Sequence, residues 1–151
     1  METANTYMKV AIIEAYDGIR SNDGGPFGAL VVKDGKVVGI GHNTVLKDKD
    51  PTCHGEIQAI RDACKRLNSH NLAGCELYTT AYPCPMCLGA IKWANIQTVY
   101  YGCTPEDTNN IGFKDKLMYD SEDDEITFIE CERSECLSLF KKYADTTDVR
   151  Y

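Results

Sequence analysis

Apolar residues recur along this chain with a helical period in some stretches and as short runs in others, and the changes between the two outline its elements. Met8, Ala11, Ile12, Ala15 and Ile19 fall at helical spacing behind Asn5 and Thr6, either of which can cap a helix start, so a first helix is predicted to about Arg20. Gly24-Gly25-Pro26 interrupts it. Phe27 to Lys33 then reads as a buried strand, turned by Asp34-Gly35 into a second strand from Lys36 to Gly41. The polar stretch from Thr44 to Thr52 contains Pro51 and ends where Ile57, Ile60, Cys64 and Leu67 resume a helical repeat, which places a second helix from His54 onward. A strand over Cys75 to Thr79, a helix over Cys84 to Ala94 and a strand over Thr98 to Gly102 follow. Alternation of this kind predicts a three-layer α/β domain with helices packed on a sheet that is at least partly parallel.

The remaining third is less regular. Thr104 to Glu125 is acidic, punctuated by Gly and Asn and without a clear period, so it reads as a long connection of the functional or mobile kind. Within it, the acidic run from Asp120 to Glu125 reads as a solvated loop. Ile126 to Glu130 is expected to form a last strand and Cys136 to Tyr143 a last helix, with a polar tail ending in Arg150-Tyr151. No internal repeat or low-complexity segment is present.

Composition narrows the functional classes. The 151 residues suffice for a single domain with a proper core, spanning 1–151. A formal net charge of -7 opposes wrapping a polyanion, because Lys and Arg contacts to phosphate dominate nucleic-acid affinity, so a small neutral substrate and no nucleic acid are expected. Eight cysteines would suit a disulfide-rich secreted domain, but the chain starts with polar Met1-Glu2-Thr3 and shows no apolar signal region, which points to a reducing cytoplasm. No run approaches a membrane span and the mean hydropathy is -0.35, so no membrane partner is expected.

The chemistry concentrates in His54-Gly55-Glu56 and in Pro83-Cys84-Pro85-Met86-Cys87. One imidazole and two thiolates suit Zn²⁺, and a carboxylate that need not bind metal leaves the fourth tetrahedral position to water, which is the layout of a catalytic site. Both halves fall at expected helix starts, where free N–H groups and the dipole favour anionic sulfur. Cys84 and Cys87, three apart, share one helical face. Glu56 is then placed to shuttle protons as a general acid and base.

Other readings of the same residues exist. A C-x-x-C alone also serves structural zinc knuckles and redox pairs, and Cys53 beside His54 could close the site as a fourth ligand, at a cost in tetrahedral geometry. Glu56 could be a first-turn carboxylate favoured by the helix dipole. Cys64, Cys75, Cys103, Cys131 and Cys136 read most simply as buried small apolar residues, His42 and His70 are given no role, and Tyr151 alone would pass for a frayed terminus.

His-x-Glu followed by Pro-Cys-x-x-Cys is the signature of zinc nucleobase deaminases. The chain resembles the cytidine deaminase superfamily over almost its whole length, and within it the short bacterial-type guanine deaminases most of all. The likeness is carried by Gly24-Gly25-Pro26-Phe27-Gly28-Ala29, Asn43, Asp50-Pro51-Thr52, Leu77-Tyr78-Thr79, Pro83 through Ile91 with Trp93-Ala94, Gly112-Phe113 and Tyr151. The resemblance implies a three-layer α-β-α cytidine deaminase-like fold with a five-stranded mixed sheet, one Zn²⁺ per subunit, and a homodimer whose C-terminal tail, about 144–151, is exchanged between subunits. It further implies that His54, Cys84 and Cys87 bind zinc and that Glu56 is the proton shuttle. Phe27 would stack on the base, and the Asn43 amide would read a ring carbonyl or nitrogen. Asp115 would accept from the amine and N–H edge of a purine, and Tyr151 would close the pocket from the other subunit.

Two positions depart from the pattern. Gly55 replaces the commoner Ala, which would let a base approach the helix start, and Tyr82 replaces the Glu usual before Pro-Cys. His-Gly-Glu, Gly41-His42-Asn43 and Leu77-Tyr78-Thr79-Thr80 also resemble fungal-type cytosine deaminases. The expected reaction is hydrolysis of guanine to xanthine and ammonia. Deamination of cytosine, a nucleoside, a triazine or a pterin is the alternative within the chemistry, and a zinc-stabilised binding module without turnover the alternative outside it.

Overall fold

The computed structural model describes residues 2–120 and 126–151. The chain falls into two compact units, Met1–Asp120 and Ser121–Tyr151. In the first, α1 (Glu2–Arg20) leads into a hairpin of β1 (Gly28–Lys33) and β2 (Lys36–His42), followed by α2 (Val45–Asp48), α3 (Gly55–Leu67), β3 (Glu76–Ala81), α4 (Pro85–Trp93), β4 (Thr98–Cys103), α5 (Pro105–Asn110) and α6 (Asp115–Asp120). The hairpin turn is the expected Asp34-Gly35, with φ of 49° and 76°, the double positive φ that matches the twist of the strands on either side.

The strands lie in the order β2-β1-β3-β4, with β1 antiparallel to both its neighbours and β3 parallel to β4 across the α4 crossover. Alternation along β1 divides the core. Ala29 and Val31 face α3 and α4, packing with Ala59, Ala63, Leu77, Ile91 and Ala94. Leu30 and Val32 face α1 on the other side, with Ala11 and Tyr78. Tyr78 stacks on Tyr100 at 4.5 Å between ring centres and tilts against Tyr7 at 5.2 Å. The three layers are therefore helix, sheet and helix pair. Full burial of a residue such as Leu77 contributes about 1.5–3 kcal/mol, and the small Ala59 and Ala63 let α3 lie close to the sheet.

Three expectations need correction. The described sheet has four strands rather than five, because the expected strand from Ile126 to Glu130 is irregular. Apolar residues alone do not make a strand without a neighbour to take the ladder hydrogen bonds. The stretch after β4 is not a plain connection, since Thr104 and Asp107 form a capping box that opens α5 behind Pro105, and α6 follows. Helices of so few residues leave no readable period. Third, Cys75 is buried but Cys103, Cys131 and Cys136 are exposed. The acidic stretch 121–125 lies outside the described residues.

The second unit is built around α7 (Arg133–Thr146), longer than the expected Cys136 to Tyr143. Its tail folds back on the helix: the Tyr143 hydroxyl donates to the Val149 carbonyl at 3.0 Å, and the Arg150 guanidinium lies over the Tyr143 ring at 5.2 Å. No helix among the described residues is long and apolar enough to cross a membrane.

Candidate active site

Two helix starts meet behind the sheet. His54 is the N-cap of α3 and Cys84 the N-cap of α4, each with extended backbone angles and neither using its side chain to cap. Their carbonyls begin the helices instead, accepting from Gln58 at 3.0 Å and Leu88 at 2.8 Å, so the imidazole and the thiol remain free to face one another. Pro85 presets the first turn of α4, and Cys87 lies within that turn.

The His54 Nδ1 atom stands 3.6 Å from Cys84 Sγ and 3.5 Å from Cys87 Sγ. A tetrahedral zinc with bonds of about 2.3 Å to sulfur and about 2.0 Å to nitrogen separates such atoms by about 3.5 Å. The donor set therefore fits zinc without rearrangement. Among the described residues these three form the group whose donor atoms all lie within 4.8 Å of one another. Cys53 is not part of it: the buried Cys53 sulfur instead accepts from the Arg61 guanidinium at 3.5 Å. A site with three protein ligands keeps an open position, which separates catalytic from structural zinc.

The electrostatics suit a cation. Cys84 is pushed down to about 4, chiefly because the Cys87 thiol hydrogen-bonds to it, with His54 adding to the effect against burial. Cys87 is pushed up by that same hydrogen bond and by burial, so the two thiols share one proton between them that metal binding displaces. His54 is raised by its hydrogen bond to Cys84, against the opposing effect of burial. Glu56, in the first turn of α3 and 5% exposed, is pushed up to about 7, mainly by burial and further by the Cys84 thiolate. A carboxyl tuned to neutrality exchanges protons in both directions near pH 7.

Around this centre the first unit gathers Phe27, Asn43, Gly55 and Asp115. The Phe27 ring meets Phe113 edge-on at 5.0 Å between centres. Asn43 is buried, donates its N–H to the Phe27 carbonyl at 2.9 Å and accepts the Val45 N–H on Oδ1 at 3.0 Å. At Gly55 a Cβ would stand 3.0 Å from the Phe27 carbonyl oxygen, so the missing side chain lets α3 begin against the Phe27 backbone. Asp115 opens α6 and is raised by burial and by the Cys84 charge, which places it within electrostatic reach of the metal ligands. Tyr151 belongs to the second unit.

Tyr82 keys an aromatic cluster. Its ring meets Tyr101 at 5.0 Å and Tyr119 at 6.1 Å, both edge-on. The Tyr119 hydroxyl donates to the Pro83 carbonyl, tying α6 to the residue before Cys84. Sequence reasoning picked out Gly112-Phe113 but missed Phe113's contact with Phe27, and it missed the tie made by Tyr119 altogether. A Tyr on a short helix carries no signal of its partner.

Comparison with known proteins agrees with this geometry. The family model for the cytidine and deoxycytidylate deaminase zinc-binding region matches residues 1–103. Guanine deaminase of Bacillus subtilis (strain 168) is 42% identical over 143 residues, 91% of this chain and 92% of its own. The X-ray structure of guanine deaminase from Bacillus subtilis superposes with a TM-score of 0.90 at 40% identity, covering 97% of each chain. A tRNA-specific adenosine deaminase of Aquifex aeolicus (strain VF5) is 43% identical over 95 residues, 63% of this chain and 62% of its own. Matched from its first helix through the zinc-binding helices and β4, the chain belongs to the cytidine and deoxycytidylate deaminase family of zinc-dependent hydrolases.

Proposed function

We propose that this chain hydrolyses guanine to xanthine and ammonia. The observation that carries the reading is the buried Glu56 carboxyl in the first turn of α3, beside three donor atoms at zinc spacing. A guanine deaminase matched over 92% of its length supports the choice of base. His54, Cys84 and Cys87 would hold the zinc, which would supply an acidified water, its pKa lowered from 15.7 to about 7.

The protein's own residues do the rest. Glu56 takes a proton from the attacking water and delivers it to the ring nitrogen N3 as the water oxygen bonds to C2 of the base. It then takes the hydroxyl proton from the tetrahedral carbon and passes it to the amine. The C2–N bond breaks, ammonia leaves and the carbonyl of xanthine remains. Phe27, braced by Phe113, stacks on the base. Because Val45 occupies Oδ1 of Asn43, that side chain offers its NH₂ group, a donor suited to a ring carbonyl or nitrogen. Asp115 accepts from the amine and N–H edge. Tyr151 closes the pocket, carried by a tail exchanged within a homodimer of single-domain subunits. The same reading places the chain in a reducing cytoplasm, where thiolates stay available to zinc.

The same chemistry on an adenosine inside a transfer RNA needs a cationic track, which the net charge of -7 opposes. The test is ammonia release by zinc-loaded protein against guanine, cytosine, guanosine, cytidine, adenine and ammeline. Turnover of guanine alone supports the reading; turnover of another member keeps Glu56 and the zinc ligands but discards the pocket.

A further inference from the structure

We propose that His42, clamped between Glu14 and Asp23, is a positioning residue for the base-binding wall, acting through Asn43 and the turn that leads into Phe27. The proposal rests on the guanine reading above. His42 Nδ1 lies 2.7 Å from Glu14 Oε1 and His42 Nε2 lies 2.7 Å from Asp23 Oδ2. The three side chains are only 20%, 20% and 12% exposed, in that order. A neutral imidazole carries one N–H, so both contacts are hydrogen bonds only when both nitrogens are protonated.

Three segments converge on this ring. Glu14 lies on α1, and the ring packs so closely on that helix that a Cβ at Gly18 would come within 2.5 Å of its Cδ2 atom. Asp23, in the turn after α1, donates its N–H to the Gly18 carbonyl at 2.9 Å and accepts on its own carbonyl from Leu46 and Lys47 at 3.0 Å each. The third segment is the chain around Asn43: His42 ends β2 opposite Gly28, and its neighbour Asn43 holds the Phe27 carbonyl. One imidazole thus ties α1, the turn entering Phe27 and the Asn43 segment together.

The titratable groups facing the ring are Glu14 from α1 and Asp23 from the turn. Gly18 and Gly28 are uncharged, and the nearby Asp17 and Arg20 pair with one another at the surface. Burial alone pushes the imidazole down, but the hydrogen bonds and charges of Glu14 and Asp23 outweigh it and raise it above 6.5. Loss of the proton turns one hydrogen bond into a contact between two acceptors. The wall then loosens while Glu56 and the metal ligands, on α3 and α4, stay in place. Binding weakens and the chemical step does not.

The experiment follows kcat and KM for guanine from about pH 6 to about pH 9 in zinc-loaded wild type, H42Q and D23N, with ¹⁵N NMR of the histidine rings and of the Asn43 side-chain amide. The expected result is a His42 midpoint above 6.5 that falls in D23N, and a KM about tenfold higher in H42Q with kcat within about a factor of two, the loss expected for one charge-assisted hydrogen bond. Wild-type KM should climb as His42 deprotonates, and H42Q should not follow that climb. A midpoint at or below 6.5, a kcat that falls at constant KM, or the same alkaline climb in H42Q overturns the proposal. Should H42Q fail to fold, D23N decides: a KM climb displaced to lower pH together with the His42 midpoint sustains the proposal, and a climb at the wild-type pH overturns it. If wild type releases no ammonia from guanine, the proposed function fails, and the positioning role is judged on the Asn43 amide: a resonance that moves with the His42 titration sustains it, and one that does not overturns it.

Discussion

The backbone N–H of Val45 donates to Oδ1 of Asn43 at 3.0 Å, and this one bond sets the orientation of the Asn43 amide, whose NH₂ end is the one proposed to meet the base. Replacing Asn43 with Asp keeps the acceptor for Val45 and removes the NH₂ donor, so the turn survives and base recognition is lost. A fall in kcat/KM of about 10- to 100-fold is expected, corresponding to about 1–3 kcal/mol for an unmatched polar group. Steady-state kinetics alongside thermal melting checks this. Unchanged kcat/KM with an intact fold would show that Asn43 does not read the base.

In the proposed reaction Glu56 acts through its proton, and it lies outside the donor group of His54, Cys84 and Cys87. Glu56→Gln removes the proton transfer and is expected to lower turnover by at least about 100- to 10,000-fold. Zinc content should remain at one equivalent, because the ligand set of His54, Cys84 and Cys87 is untouched. Elemental analysis and ammonia release are read together. Loss of zinc with activity would make Glu56 a structural residue.

Zinc competes with protons for its ligands. Cys87 holds its proton strongly in the metal-free site and His54 is raised, so metal binding releases protons and zinc affinity falls as pH falls. Titration against a chelator of known affinity at several pH values should show this slope. Cys87→Ser should flatten it while weakening zinc.

Tyr119 reaches across from α6 to the carbonyl of Pro83. Tyr119→Phe removes only that donor and should cost about 1 kcal/mol of stability. If α6 depends on this tie to hold Asp115, KM rises more than kcat falls. Denaturant unfolding and kinetics on the same preparation separate the two effects.

His42 also links stability to pH. Its imidazole is raised in the folded protein, so the stabilisation from Glu14 and Asp23 is fully present below the unfolded value near 6.5 and is lost as pH rises through the folded value. The melting temperature of wild type should therefore exceed that of His42→Gln most at about pH 6 and least at about pH 9. A gap that widens with pH would reverse the sign and remove the clamp from the account.

Local signals read well in this chain. The Asp34-Gly35 turn, the helix at Ile57 to Leu67 and the alternation of strands with helices were legible because each is governed by contacts within a few residues. So were the zinc ligands, since His-x-Glu and Cys-x-x-Cys at helix starts already place donors on one face. Where a feature depends on a distant partner, the sequence was silent or misleading. Ile126 to Glu130 has the residues of a strand and lacks a ladder, Tyr119 belongs to no motif, and the Gly41-His42-Asn43 stretch does not reveal that Glu14 and Asp23 meet its histidine.

The order of residues by itself determined the donor set and the layered class of fold, for spacing along a helix or strand sets direction without outside help. Only the tertiary structure decided that His54 Nδ1 stands 3.5–3.6 Å from two sulfurs, that Glu56 is buried enough to rise to about 7, and that Glu14 and Asp23 close on one imidazole. Distance and desolvation arise where segments far apart in the chain pack together, and no local pattern carries them.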